Sequence, residues 1–252
     1  MEIAYFQPLQ DAAHFLAQPA WNIGIPVAYF FCTMAGYTIM RNCEPFETPT
    51  WFKIIYNFCQ VTLSLYCLVF GMPVVCDMLA HPFGLNMPFG GEHAKSLHYC
   101  VCVHFLSKFL DYVDTFLIIV NKKDRQLSVL HVYHHSSISA VWGFLIYTGV
   151  ADGTVCFGAW INALVHSIMY TYYGLTAAKV NTKPLKQWVT RVQLTQFSLC
   201  IIHAIVVCLF DTTLPTYLPW IQFAYHCTMI TLFGQFYLKT YAKKGKAQKK
   251  KE

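Results

Sequence analysis

The sequence predicts an all-α integral membrane protein of seven transmembrane helices, with its N-terminus luminal and its C-terminus cytosolic. Three observations carry that expectation. Of the 252 residues, 56 % are hydrophobic and only 12 % charged, a balance that excludes an ordinary soluble domain. Apolar runs near the ~20 residues needed to cross a bilayer fall at about 21–40, 51–73, 97–120, 128–149, 154–175, 187–210 and 215–238. The 18 lysines and arginines gather at alternate connections between those runs, as positive-inside topology requires.

Taken in order, the runs alternate without a break. No lysine or arginine precedes Arg41, so the chain starts outside. Without a basic n-region, the first run serves as its own insertion signal. Arg41 and Lys53 place the first connection in the cytosol, whereas the second, Pro/Gly-rich at 81–92, has only Lys95 and is luminal. The third run ends at Lys122, Lys123 and Arg125, and the fourth leads to a loop near 150 with no basic residue. The fifth ends at Lys179, Lys183, Lys186 and Arg191, the loop near 212 again has none, and the seventh leads into a tail with seven lysines. Sixteen of the 18 basic residues therefore share one side, one lies opposite, and Lys108 is inside a run. Residues 1–240 read as one membrane domain and 241–252 as a basic cytosolic tail.

The net charge of +6 is thus a property of the cytosolic face. It implies anionic headgroups or an anionic cofactor as partners and, with no basic and aromatic surface organised to hold a strand, no nucleic acid. Eleven cysteines without a CxxC pair read as small core residues, with a luminal disulfide left open, and no metal site is expected. The lysine run of the tail is a solvated anchor. Its last residues, Lys249-Lys250-Lys251-Glu252, also resemble the dilysine retrieval signal of endoplasmic reticulum membrane proteins.

Polar residues inside apolar runs must pair, face water or do chemistry. In the third run Lys108, Asp111 and Thr115 share one helical face, with Asp114 beside them; a packing ion pair explains Lys108 and Asp111 as well as function does. In the fourth, His131, His134 and His135 form one stripe. The fifth carries Asn162, His166, Met169, Tyr170 and Tyr173 at i, i+4, i+7, i+8 and i+11, with Tyr172 adjacent. The sixth carries Thr190, Gln193 and Gln196 just inside its cytosolic end, where interhelical hydrogen bonding is a plain alternative. His203 and His226 read as packing residues with local partners. Because the third and fifth runs end at the cytosol while the fourth and sixth begin there, all four sets reach a similar depth. A polar chamber facing the cytosol and closed toward the lumen is the expectation.

These four sets resemble, in order and spacing, the motifs of the ELO family of very-long-chain fatty acid elongases. Lys108-x-x-Asp111-x-x-Asp114-Thr115 is similar to that family's KxxExxDT and His131-x-x-His134-His135 to its HxxHH. Asn162-x-x-x-His166-x-x-Met169-Tyr170-x-Tyr172-Tyr173 is similar to NxxxHxxMYxYY, and Thr190-x-x-Gln193-x-x-Gln196 to TxxQxxQ. Asp111 departs from the usual Glu, keeping the charge but shortening the reach by one methylene. Gln126 and the tyrosine between the box histidines, Tyr133, look like the branch that takes polyunsaturated substrates.

The resemblance implies condensation of a long-chain acyl-CoA with malonyl-CoA to a 3-oxoacyl-CoA two carbons longer, releasing CO2 and CoA, with no tightly bound cofactor and with the reductases and dehydratase of the elongation cycle as partners. Neutral imidazole is a competent nucleophile near neutral pH, so His134 is the candidate to carry the acyl group. His131 and His135 would orient it or shuttle protons, and His166 and Asn162 would polarise the thioester or the enolate. Asp111 and Asp114 would fix histidine tautomers, with Lys108 neutralising them. Tyr170, Tyr173, Thr190, Gln193 and Gln196 would line the substrate path, and Lys122, Lys123, Arg125, Lys179 and Lys183 would meet CoA phosphates at the mouth. The acyl chain would occupy a tunnel between the helices. A di-iron desaturase or hydroxylase is the rival, but it needs several histidine boxes and the chain has one. A seven-helix receptor or transporter fits the span count, yet the polar stripe opens toward the cytosol. Acyl chain length and oligomeric state have no signature in the sequence.

Overall fold

The computed structural model describes residues 6–80, 90–91, 93–211 and 213–242. The dilysine motif and most of the 81–92 loop lie outside these residues. The described elements are helices: α1 (Gln7–Leu16), α2 (Pro19–Met40), α3 (Thr50–Ala80), α4 (Ala94–Leu110), α5 (Tyr112–Val120), α6 (Val129–Tyr147), α7 (Cys156–Ala177), α8 (Leu185–Phe210) and α9 (Tyr217–Tyr237), with a 3-10 turn at Gly153–Val155 and a π turn at Leu238–Ala242. Each of the seven apolar runs is helical, the third as α4 and α5 together. α1 was not expected. At ten residues it is half the length of a crossing, and it packs on α4 and α6 instead.

Pro19–Met40, Thr50–Asp77 and Leu185–Phe210 are long and apolar enough to cross a membrane by length and composition. Only 17 % of the α2 window is buried in the protein, and Trp21, Phe30, Phe31 and Met34 stand exposed along it. Apolar surface of that extent requires lipid, so the chain is a multi-pass membrane protein. All eleven cysteines are free thiols in the structure.

The helices follow one another as neighbours in a closed circuit: α4 to α6, α6 to α9, α9 to α8, α8 to α7, α7 to α3 and α3 back to α4. α2 packs outside it against α6 and α5. The closest approaches are at glycines. A Cβ on Gly71 would lie 2.9 Å from the Trp160 ring, so α3 meets α7, its most extensive partner, only because that position is bare. A Cβ on Gly143 would collide with the Asn22 amide, which donates to the Ala140 carbonyl at 3.0 Å and fixes α2 on α6.

The α4–α5 break is local and has a partner waiting. The Asp114 amide bonds to the Asp111 carbonyl at 3.1 Å, a tight i to i−3 turn that deprives the Leu110 carbonyl of its regular donor. The Tyr56 hydroxyl of α3 donates to that carbonyl at 3.1 Å. The break therefore docks α3 against the turn that carries Asp111.

Candidate active site

Asp111 sits on that turn, 2 % exposed, with its carboxylate fully engaged. Oδ2 accepts from the Lys108 ammonium at 3.1 Å in a buried ion pair, and Oδ1 lies 2.9 Å from both the Gln60 amide nitrogen and the Tyr170 hydroxyl. Gln60, a residue of α3, thus ties that helix to the Asp111 turn. Tyr170 also lies 2.7 Å from Asp114 Oδ2, so its single proton is shared between two aspartates. Lys108, 1 % exposed, donates a second bond to Asn162 Oδ1 at 3.2 Å. That contact spends the amide oxygen of Asn162 and leaves its NH2 group as the donor presented to the interior.

Beside them lies a small cavity of about 10 Å³ lined by Ser64, His104, Ser107, Lys108, Asn162 and His166, space for about one water. His104 Nε2 is buried there without a hydrogen-bond partner.

The histidine box is held differently. The Ser128 hydroxyl accepts from the His131 backbone amide at 3.2 Å and caps α6, the ordinary role of serine at a helix start. This fixes the first turn on which the box rides. His131 Nε2 meets the Thr115 hydroxyl at 2.8 Å, itself 2.8 Å from Tyr29. The His131 and His135 rings lie 4.2 Å apart and those of His134 and His135 5.5 Å apart. His134 Nδ1 is 3.3 Å from the Tyr225 hydroxyl of α9. The groups that meet His131 and His134 are therefore hydroxyls. Asp111 and Asp114 serve Lys108, Gln60 and Tyr170 instead, contrary to the expectation that they fix the histidine tautomers.

The sequence matches the family profile described as "ELO: GNS1/SUR4 family" over residues 14–249. The chain belongs to this family. Among its relatives, "Fatty acid elongase 5" of Leishmania major is 38 % identical over 218 residues, covering 86 % of this chain and 84 % of that one. "Fatty acid elongase 4" of Trypanosoma brucei brucei is 37 % identical over 222 residues, 88 % and 84 % of the two chains. "Very long chain fatty acid elongase 5" of Homo sapiens is 33 % identical over 226 residues, 89 % and 75 %.

In this ELO chain the remaining site candidates fall into two groups. Gln193 reaches Met169 Sδ at 3.3 Å and joins α8 to the α7 motif; Gln196 is buried. Thr190, also buried, bonds back to the Lys186 carbonyl at 3.3 Å and touches the Tyr241 hydroxyl at 3.4 Å. Tyr173 is 41 % exposed with its ring against Tyr170, at the edge of the network. Lys123, Arg125, Lys179 and Lys183 are exposed loop residues; partial desolvation of the ammonium and, after it, the charge of Lys53 hold Lys123 below the usual lysine range. Lys122 lines a cleft of about 350 Å³ with Tyr37, Met40, Arg41 and Asp124. His203 bonds to Thr154 and Gln222, and His226 to the Gln222 carbonyl, the local partners expected.

Sequence reasoning missed four participants: Tyr56, Gln60, His104 and Tyr225. For three a signal existed: Tyr56, Gln60 and Ser64 recur every four residues in a largely apolar run, a polar stripe like those of the motifs, and His104 stands one turn before Lys108 on the face of Asp111 and Thr115. Tyr225 acquires meaning only from what faces it.

Proposed function

We propose that this protein condenses a long-chain, polyunsaturated acyl-CoA with malonyl-CoA to give a 3-oxoacyl-CoA, the first step of fatty acid elongation, through an acyl group carried on His134. The observation that carries the reading is the directional hydrogen-bond chain behind that histidine. Ser137 donates to the Tyr133 carbonyl at 2.7 Å, and a carbonyl can only accept. Ser137 Oγ, 3.2 Å from the Tyr225 hydroxyl, therefore accepts from Tyr225, which in turn accepts from His134 Nδ1–H. This tautomer leaves Nε2 with its lone pair free, as a nucleophile needs.

In the first half-reaction Nε2 attacks the thioester carbonyl of acyl-CoA, the C–S bond breaks, and the thiolate leaves and takes up a proton. In the second, malonyl-CoA loses CO2. The resulting enolate carbon attacks the acyl-imidazole, forming the new C–C bond and freeing His134. The Asn162 NH2 group, aimed by Lys108, is the donor suited to the oxyanion or the enolate, and removing such a donor from a dry site costs about 2.7–4 kcal/mol of transition-state stabilisation. Arg41, Lys122 and the exposed lysines near them supply cations for CoA phosphates. The acyl chain lies between the helices of the circuit, each buried methylene contributing about 0.8 kcal/mol. In the bilayer the seven helical runs cross with the N-terminus luminal and the C-terminus cytosolic, in the endoplasmic reticulum, where reductases and a dehydratase would consume the product.

The test is to incubate purified protein with labelled malonyl-CoA and acyl-CoAs of differing length and unsaturation. A 3-oxoacyl-CoA, labelled CO2 and free CoA are expected in equal amounts. His134→Ala should abolish all three and prevent CoA release from acyl-CoA alone; a variant that keeps most of its activity removes His134 as the acyl carrier.

A further inference from the structure

A second cluster of histidine and thiol side chains stands well away from the box. His98 and Cys102 are one turn apart on α4, so they share a face, and α1 lays His14 across that face from 84 positions away in the chain. His98 Nε2 lies 3.1 Å from His14 Nε2 and 3.4 Å from Cys102 Sγ, and the three ligand atoms lie within 4.8 Å of one another. The rings of His14 and His98 are stacked at 5.1 Å. Ten residues separate His98 from Lys108, about 15 Å of helix, so the cluster is no part of the acyl-transfer site.

Hydrogen bonds alone leave this group poorly served. The His98 ring is bonded to the Ala151 backbone carbonyl; with Nε2 turned to His14 and Cys102, that bond belongs to Nδ1–H. Nε2 then offers one lone pair to two neighbours, the imidazole of His14 and the thiol of Cys102. A soft cation at the centre of the triangle removes the competition by taking a lone pair from each. The carbonyl bond at Nδ1 is also the outer contact that a metal-binding imidazole uses to fix its tautomer. Zinc bonds of ~2.0–2.1 Å to nitrogen and ~2.3 Å to sulfur put tetrahedral ligands about 3.3–3.6 Å apart; the two separations from His98, 3.1 and 3.4 Å, meet this within a few tenths of an ångström, and His14 Nε2 and Cys102 Sγ lie within 4.8 Å of each other. Cys102 is wholly buried and His14 exposed, so the site has a thiolate at its base and an open edge for entry.

We propose that His14, His98 and Cys102 bind one zinc ion that staples α1 to α4, with water in the remaining position at the exposed edge. Binding replaces the Cys102 thiol proton, which leaves to solvent. No spacing in the sequence marks the set, since two ligands sit at i and i+4 and the third arrives from a different helix. The inference does not depend on the elongation reading, and its readout is metal content rather than activity.

The test uses the full chain, purified in detergent without a histidine tag, stripped with a chelator and then exposed to Zn²⁺ alone. About one zinc per chain should be retained by the native protein and a background level by His14→Ala and Cys102→Ser. Co²⁺ in place of zinc should give a thiolate charge-transfer absorption that Cys102→Ser abolishes. Zinc should also raise the Tm of the native protein but not of His14→Ala, whose exposed side chain can be removed without opening the core. Zinc retention at native levels in either variant, or no retention by the native protein, overturns the proposal.

Discussion

The interior residues of this protein are tied by their partners more than by their own chemistry, and Asp111 shows it best. Its carboxylate is the counter-charge to a lysine that is 1 % exposed. Removing one member of a buried pair leaves the other uncompensated and costs about 3–5 kcal/mol, whereas replacing both by apolar groups of similar volume is often neutral. Asp111→Ala should therefore lower thermal stability in detergent by that order, and Lys108→Met combined with Asp111→Leu should regain most of it while remaining inactive. A single variant as stable as the native protein would show that Lys108 escapes to solvent. Tyr225 makes the complementary case. Tyr225→Phe keeps the ring stacked on Tyr133 but removes the acceptor that sets the His134 tautomer. It should lower kcat on the order of 10- to 100-fold, the range for an outer partner that orients a histidine, with KM nearly unchanged and Tm close to native. An unchanged kcat would show that Tyr225 does not set the tautomer.

Elements were legible where hydropathy alone determines them and illegible where one contact does. All seven apolar runs are helices, and the four polar stripes were visible from periodicity because a 3.6-residue repeat puts them on single faces. The α4–α5 break was not visible: it turns on one carbonyl, at Leu110, that Tyr56 satisfies from another helix, and neither residue marks it in sequence. α1 escaped because ten residues cannot span and its docking depends on α4. The same non-local logic governs Gly143, an unremarkable glycine in a helical run whose bareness lets Asn22 reach the Ala140 carbonyl. Gly143→Ala should force α2 off α6 and destabilise by about 1–3 kcal/mol, the usual cost of overpacking. Asn22→Ala introduced with it should restore most of the loss, because the colliding group is then gone. Chemical or thermal unfolding of the four proteins of the cycle gives the coupling directly, and strictly additive effects would remove the Asn22 contact as the cause.

At the scale of the whole molecule, charge and structure can be made to test each other. The cationic residues that the sequence gathers on one side, Arg41 and Lys122, share a cleft, whereas the loop that follows α6 at the other end of the box-bearing helix, residues 148–155, carries no lysine or arginine. If that asymmetry sets topology, then Asp124 and Thr148, which flank α6 and are both exposed, lie on opposite faces of the membrane. In a cysteine-free background within sealed, right-side-out microsomes, Asp124→Cys should react with a membrane-impermeant maleimide before the membrane is opened and Thr148→Cys only afterwards. Equal reactivity of the two before permeabilisation would place both ends of α6 on one side. The His131, His134 and His135 stripe would then enter no bilayer from the cytosol, and the cationic cleft could not serve as the mouth for an acyl-CoA.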